Sequence, residues 1–369
     1  SGRAAGSPCL SALRVGFGGG RMRPGMRHPR IPDLRLRLGA RPQTADSLLY
    51  DDALFAAVIK FQTENGLKAD GLIGVETLRL MNRTNGQRIG QLIANLERLR
   101  WAGNITAPRF VVVNIPSAML WGIADGKAVL EMPVVVGRAE RPTQSFMTKI
   151  TGVRFHPSWT VPETIKSQDI LPRLLEDPSY VEAKGLELIR GRGAEAETLD
   201  PRAVDWAALS PAELRAIRMV QVPGAENPLG RLRVLMPNVY DIYLHDTNQK
   251  EFFTARDRAL SSGCIRLAAP EKMADFILAG KANWTEERTQ ALLEGGATVD
   301  VMVTEDLPVY LVYYTAWVDA QGRVAFGNDI YKKDSALLSL LARQDDLPPG
   351  LENKEVLALG AAAEPVAAP

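Results

Sequence analysis

Two residues nineteen positions apart, His245 in YDIYLHDT and Cys264 in ALSSGCIRL, are the candidates for chemistry in a chain with 3 histidines and 2 cysteines. A thiol becomes an effective nucleophile when an imidazole favours its thiolate, and nearby backbone N–H groups can meet the oxyanion that develops on an attacked carbonyl. Gly263 permits the turn that such an arrangement needs. The chemistry implied is acyl transfer through a thioester. The natural oxyanion donors are the backbone N–H groups of Cys264 and Gly263. The Tyr243 hydroxyl is a further candidate because Tyr243 and His245 share one face of a strand, with core packing as its alternative use. Arg266 sits two residues past the thiol, where a guanidinium either holds a substrate carboxylate or shapes the loop through an internal ion pair. Ser262 is expected to orient the loop through a local hydrogen bond or simply to suit the turn. The apolar period of APEKMADFILAG predicts a helix soon afterwards, which places Cys264 just before a helix N-terminus whose dipole favours thiolate.

Positioning these groups requires a sizeable scaffold, and 369 residues suffice for two or three domains. Apolar residues make up 46% and charged residues 24%, so the composition is that of a globular protein. A net charge of +1 from nearly balanced acids and bases argues against nucleic acid or an anionic membrane as partner. No apolar run is long enough for a membrane span, and the first forty residues lack the apolar core of a signal peptide. Three scattered histidines offer no metal-ligand spacing, and no phosphate or dinucleotide fingerprint surrounds VVVGRAERP, so neither metal nor cofactor is expected. His156 and His28 read as structural. Cys9, in a Gly/Ser/Pro-rich stretch, is an unattractive disulfide partner for Cys264.

Along the chain, residues 1–31 read as a flexible leader. Helical spacing of Leu54, Val58 and Phe61, followed by Gly66, Gly71 and Gly74, predicts a small helical domain over 32–84. An amphipathic connector helix follows within 85–106. Short β-branched runs broken by Asp125-Gly126 predict strands and a tight hairpin from about 109 to 160. A Pro-bounded helical insert, with Ser210 and Glu213 spaced as a capping box, spans 163–227. Strands resume through the His and Cys segments to about 335, and an Ala/Pro-rich tail over 336–369 is expected to be disordered.

The pattern S-x-G-C-I-R after H-x-T, together with FHPSWTVP, ILPRLLEDPSYVEAKGLELI and PGAENPLGRLRVLMPN, resembles the L,D-transpeptidase (YkuD-type) family and its YcbB-like subgroup. Ser262 stands where many members have His. AVIKFQTENGLKADGLIGVETL resembles a three-helix peptidoglycan-binding domain. The likeness implies an α+β multidomain protein, with a mostly β catalytic domain over 107–335, a helical lid over 163–227 and a wall-binding domain before it. It implies Cys264 as nucleophile, His245 as base, and the backbone carbonyl of Asp246 orienting the imidazole; a Cys-His-Asp arrangement through the Asp246 carboxylate is the alternative. Arg266, Ser262, Thr247 and Trp159 would then line the substrate side, Trp159 alternatively serving as a core residue. The implied partners are peptidoglycan stem peptides and glycan, and β-lactams of the carbapenem type, at the cell envelope or periplasm. The implied reaction joins a tetrapeptide donor to an amine acceptor, typically as a 3-3 cross-link, with release of D-Ala. An L,D-carboxypeptidase using the same thiol and a non-catalytic wall-binding protein are the rival readings.

Overall fold

The computed structural model describes residues 21–65, 67–103, 105–319 and 322–342. Cys9, the first part of the expected leader and the tail beyond Ala342 lie outside these residues. The chain divides into two compact units, one running to Gly103 and resuming at Tyr314, the other Asn104–Tyr313.

The first unit begins with helices α1 (Ile31–Leu38), α2 (Asp52–Glu64) and α3 (Val75–Met81). They bury Ile31, Leu34, Leu54, Val58, Leu78 and Met81 around Tyr50. The leader expectation needs correction over 21–31: Met22 joins this core, and its backbone bridges Ile73, because an apolar side chain there completes the cluster. Gln62 is buried and closes the turn after α2, accepting from Gly71 N–H at 2.8 Å and donating to the Leu72 carbonyl at 3.0 Å. Gly71 has φ +69°, and a Cβ there would lie 2.1 Å from the Phe55 ring, so the Asp-Gly pair is a requirement of packing.

Helix α4 (Asn85–Ala102) carries a Thr84–Gln87 capping box and is the expected connector helix. The second unit then opens with β1 (Arg109–Asn114), β2 (Met119–Ala124), β3 (Lys127–Gly137) and β4 (Phe146–Phe155). Asp125 and Gly126 both have positive φ in the β2–β3 turn, as a two-residue hairpin requires.

The insert is mixed rather than helical, which corrects the sequence expectation. It holds β5 (Trp159–Thr160), α5 (Glu163–Ile165), a π-turn over Lys166–Ile170, α6 (Leu171–Glu176), α7 (Tyr180–Ala183), β6 (Leu186–Arg190), β7 (Glu197–Leu199), α8 (Pro211–Ala216) and β8 (Ile217–Gln221). Its four strands form a separate sheet in the order β5-β8-β6-β7 over its own core, including Val161, Leu174, Leu188, Trp206 and Met219. The Ser210–Glu213 capping box starts α8 as the spacing predicts.

After the insert come β9 (Leu232–Leu235), β10 (Leu244–His245), β11 (Ala259–Ser261), β12 (Ile265–Leu267), α9 (Pro270–Leu278), α10 (Glu286–Gly295) and β13 (Val299–Val312). The main sheet runs β11-β3-β12-β10-β9-β4-β13-β1-β2, and pairing of β2 with β3 joins its ends. Eight strands therefore form a closed ring, with β11 attached to β3. Closure removes all but short edges and lets β-branched residues such as Val111, Val113, Val134, Val153 and Val234 fill the interior.

The chain then returns to the first unit with the hairpin β14 (Ala316–Val318) and β15 (Val324–Phe326) and helix α11 (Lys333–Leu341). Leu337, Leu338 and Leu341 pack with Ile93 and Ala94 of α4, so order extends past the expected boundary at 335. Arg98 and Thr315 both hydrogen-bond Asp334, and Asn95 exchanges two hydrogen bonds with Thr315, so this buried polar cluster is satisfied.

Candidate active site

Strand register brings the candidate residues together. Strands β10 and β12 are adjacent and parallel, with Leu244 opposite Ile265 and His245 opposite Arg266; Ile265 N–H donates to the Tyr243 carbonyl at 3.0 Å. Cys264, the residue before β12, is thus level with Tyr243. On the other side of β10, His245 pairs with Arg233 of β9, which pairs with Arg154 of β4, which pairs with Asp300 of β13. Directly opposed residues point to one face of a sheet. One transverse row therefore reads Arg266, His245, Arg233, Arg154, Asp300.

The Cys264 loop is braced from two sides. Ser261 Oγ donates to the Cys264 carbonyl at 2.6 Å and accepts from Gly263 N–H at 3.1 Å. Thr143 Oγ1 donates to the Gly263 carbonyl at 2.7 Å and accepts from Gly137 N–H at 2.8 Å. Gly263 has φ +119°, and a Cβ added there would meet no atom closer than 3.9 Å, so conformation rather than space demands glycine. Its N–H is engaged by Ser261, which corrects the expectation that it faces an oxyanion. Cys264 N–H meets no protein acceptor among the described residues and remains as donor. A second correction concerns the helix: strand β12 follows Cys264 and α9 starts only at Pro270, so Cys264 does not stand at the N-terminus of that helix.

His245 is buried, and its Nδ1 contacts the Asp246 carbonyl. A carbonyl only accepts, so Nδ1 carries the hydrogen and Nε2 presents a lone pair. The Asp246 carboxylate is directed elsewhere, accepting from Arg231 N–H at 2.8 Å and from Lys250 Nζ. Gly230 makes room for it: φ is +58°, and a Cβ there would lie 2.3 Å from Asp246 Oδ2. Asp246 thus orients the imidazole through its backbone.

Burial, reinforced by the Arg266 charge, pushes the His245 imidazole down to about 3. Burial also raises the Cys264 thiol, opposed by the Tyr243 backbone N–H and the Arg233 and Arg266 charges. Both directions favour a neutral thiol beside a neutral imidazole over a preformed ion pair. The sulfur keeps part of its surface open and donates to the Asp241 carbonyl at 3.7 Å. Asp241 has φ +52°, and its loop is held by Asn238, whose amide bonds the backbone of Met236, Tyr240 and Ile242. Tyr243 lies beside the sulfur, its ring centroid 5.8 Å from that of His245; burial holds its phenol far above the ordinary range, so it stays an O–H donor.

Arg266 donates to Gln249 Oε1 at 2.6 Å and lies over the Phe252 ring. Its nearest polar partner is an amide rather than the carboxylate of an ion pair. Thr247 is buried and accepts from Gln249 N–H at 3.1 Å, shaping the turn that delivers that amide. Ser262 Oγ lies 3.4 Å from Arg138 Nη1 and 3.3 Å from Arg141 Nη1. Trp159 packs with the insert's own core. His156 is buried against the Leu292 carbonyl and Gly296 N–H, a structural use. Sequence reasoning missed Arg233, Asp241, Gln249, Ser261 and Thr143. Thr143 reaches the Cys264 loop from a segment distant in the chain, whereas Ser261 acts within that loop.

Residues 108–300 match the YkuD family model, described as an L,D-transpeptidase catalytic domain, and residues 36–81 match a peptidoglycan binding domain. The chain is similar to a Haemophilus influenzae protein provisionally named an L,D-transpeptidase, 33% identical over 247 residues, 66% of this chain and 48% of that one. It spans about half the length of that relative. Among solved structures it is distantly similar to an L,D-transpeptidase from Stackebrandtia nassauensis, at 15% identity and TM-score 0.25 over 79% of this chain and 94% of that one. A second is L,D-transpeptidase 3 from Mycobacterium tuberculosis with a faropenem-derived adduct, at 13% identity and TM-score 0.26 over 55% of this chain and 60% of that one.

Proposed function

From the premise that this chain belongs to the L,D-transpeptidase (YkuD) family, we propose that it cross-links peptidoglycan stem peptides through a Cys264 thioester. The observation that carries the reading is the His245 tautomer: with Nδ1–H held by the Asp246 carbonyl, Nε2 is free to accept a proton. As Cys264 Sγ attacks the carbonyl before the terminal D-Ala of a tetrapeptide stem, its proton passes to Nε2. The C–S bond forms and the oxyanion is met by Cys264 N–H and the Tyr243 hydroxyl. His245 then returns the proton to the leaving nitrogen, the C–N bond breaks and D-Ala departs. An amine of a second stem attacks the thioester, His245 accepting its proton, and the sulfur leaves as thiol.

A neutral resting pair suits this sequence, because no charge must be held in a buried site between turnovers. The 36–81 domain supports a wall-bound role, in which it raises the local concentration of substrate without entering the chemistry. Such a substrate places the protein at the cell envelope, in the periplasm. No helix among the described residues is long and apolar enough to cross a membrane. The same thiol and donors would be acylated by carbapenem-type β-lactams, which present a strained amide.

Mass spectrometry of muropeptides after incubation with a tetrapeptide substrate tests the reading. Cross-linked dimers with free D-Ala are the expected products. Tripeptides alone would reassign the protein as an L,D-carboxypeptidase, and unchanged substrate would leave it a wall-binding protein.

A further inference from the structure

Within the transverse row that carries His245, one cation has no acceptor. Arg154 donates to both oxygens of Asp300 at 2.6 Å each, and Arg266 is held by Gln249 and Phe252. Arg233, between Arg154 and His245, makes no hydrogen bond or ion pair through its side chain among the described residues, and its Nε is buried without a partner. Its guanidinium instead lies over the Tyr243 ring, 4.2 Å from the centroid. Tyr243 is the aromatic residue beside the reacting sulfur.

This is an unusual use of arginine. A half-buried guanidinium normally has its planar fork matched by a carboxylate, and a buried N–H without an acceptor is unfavourable by about 1–3 kcal/mol. Placement over the Tyr243 ring uses none of its N–H donors. With Nε covered, the terminal Nη groups are the donors left to meet a ligand on the face that holds Cys264 and His245. Two strand spacings, about 10 Å, separate the backbones of β9 and β12, a span that one peptide residue and its side chain can bridge.

Resting on the transpeptidase reading of this site, we propose that Arg233 is the seat for a carboxylate of the stem peptide and fixes the donor's register over Cys264. A tetrapeptide stem offers three such groups: the free carboxylate of its γ-linked glutamate, the side-chain carboxylate of its diamino acid, and the terminal D-Ala carboxylate. All present the same chemistry to a guanidinium fork. A carboxylate here gives the terminal Nη groups an acceptor and anchors the peptide beside the carbonyl to be attacked.

The alternative use of Arg233 is purely electrostatic, tuning the site by its charge, and that acts alike on every peptide. The two are separated by calorimetry on the full chain carrying Cys264→Ala, which binds peptide without acylation. The probes are the parent tetrapeptide and three peptides each amidated at one carboxylate. With Arg233 intact, one amidation is expected to weaken binding about tenfold or more. In Arg233→Gln the parent should be weakened by a similar factor while that amidation has no further effect; Arg233→Lys should keep part of the discrimination. Equal weakening of all four peptides by Arg233→Gln and Arg233→Lys, or no weakening of any, overturns the seat. D-Ala release by the unmodified chain is measured alongside. Release without discrimination by Arg233 defeats this inference alone; discrimination without release defeats the transpeptidase reading and leaves the carboxylate seat standing.

Discussion

At neutral pH both members of the Cys264–His245 pair are uncharged, because burial opposes the thiolate and the imidazolium alike. On the proposed thioester reading, acylation would therefore begin by proton transfer within the attack rather than from a standing thiolate. The rate of carbapenem acylation of Cys264, followed by intact mass, should be nearly flat between pH 5 and 8; a preformed-thiolate mechanism would make it climb with thiol ionisation. His245→Gln should slow it by about 10²-fold or more, since the proposed proton acceptor is lost, and Cys264→Ala should abolish the adduct. The same burial has a stability signature. An imidazole at about 3 in the folded chain, against an ordinary value of 6.5, is protonated more readily in the unfolded state throughout that interval. Its contribution is fully present above pH 6.5 and is lost as pH falls toward 3, by up to about 1.4 kcal/mol per pH unit. Urea unfolding at pH 4.5 and 6.5 should show a smaller acid loss in His245→Gln than in the parent.

Among the elements, the insert is tied to the Cys264 loop by one arginine. Arg141 makes two contacts with Asp169 in the π-turn, at 2.6 and 2.7 Å, while its Nη1 also lies 3.3 Å from Ser262 Oγ. Lys166 stiffens the same turn from within, donating to the Leu214 and Ile217 carbonyls at 2.7 Å each. A lid role for the insert remains our proposal, and the Arg141–Asp169 clamp makes it testable. Asp169→Asn should speed hydrogen exchange over residues 163–176 and slow acylation by a stem peptide more than acylation by a small β-lactam, which needs less ordering of the cleft. Equal exchange in the two proteins would remove the clamp. Because Arg141 holds the Asp169 carboxyl below the ordinary carboxylate range, the clamp stays in place above that range and is lost only as pH falls through the lowered value.

In the whole molecule, the small helical domain has an apolar cluster of its own, which can be perturbed by substitution there. Gly71→Ala forces a side chain into both a left-handed backbone and the Phe55 ring, and should destabilise the helical core by about 2 kcal/mol or more. Pull-down on insoluble peptidoglycan should then fall, while carbapenem acylation of Cys264 persists; unchanged pull-down would deny this domain the binding role. Much of this design is local in the chain. The Gly before Cys264, the His on a short strand, the Asp-Gly hairpin, the capping boxes and the FQ and DG pairs of the helical domain are each decided by neighbours within a few residues, and with the longer motifs they sufficed to indicate the L,D-transpeptidase family and a small helical domain before it. The mixed character of the insert was not legible, because β6 acquires its strand identity from β8, which follows only after β7 and α8. Nor was the neutral state of the Cys264–His245 pair, the engagement of Gly263 N–H by Ser261, or the position of Arg233. Charge state depends on burial by the folded ring, and the availability of Gly263 N–H on the conformation the Cys264 loop adopts, in which Ser261 two residues earlier turns back onto it. The pairing of Arg233 with His245 depends on the register between strands β9 and β10, set by the sheet as a whole and absent from the periodicity of either segment.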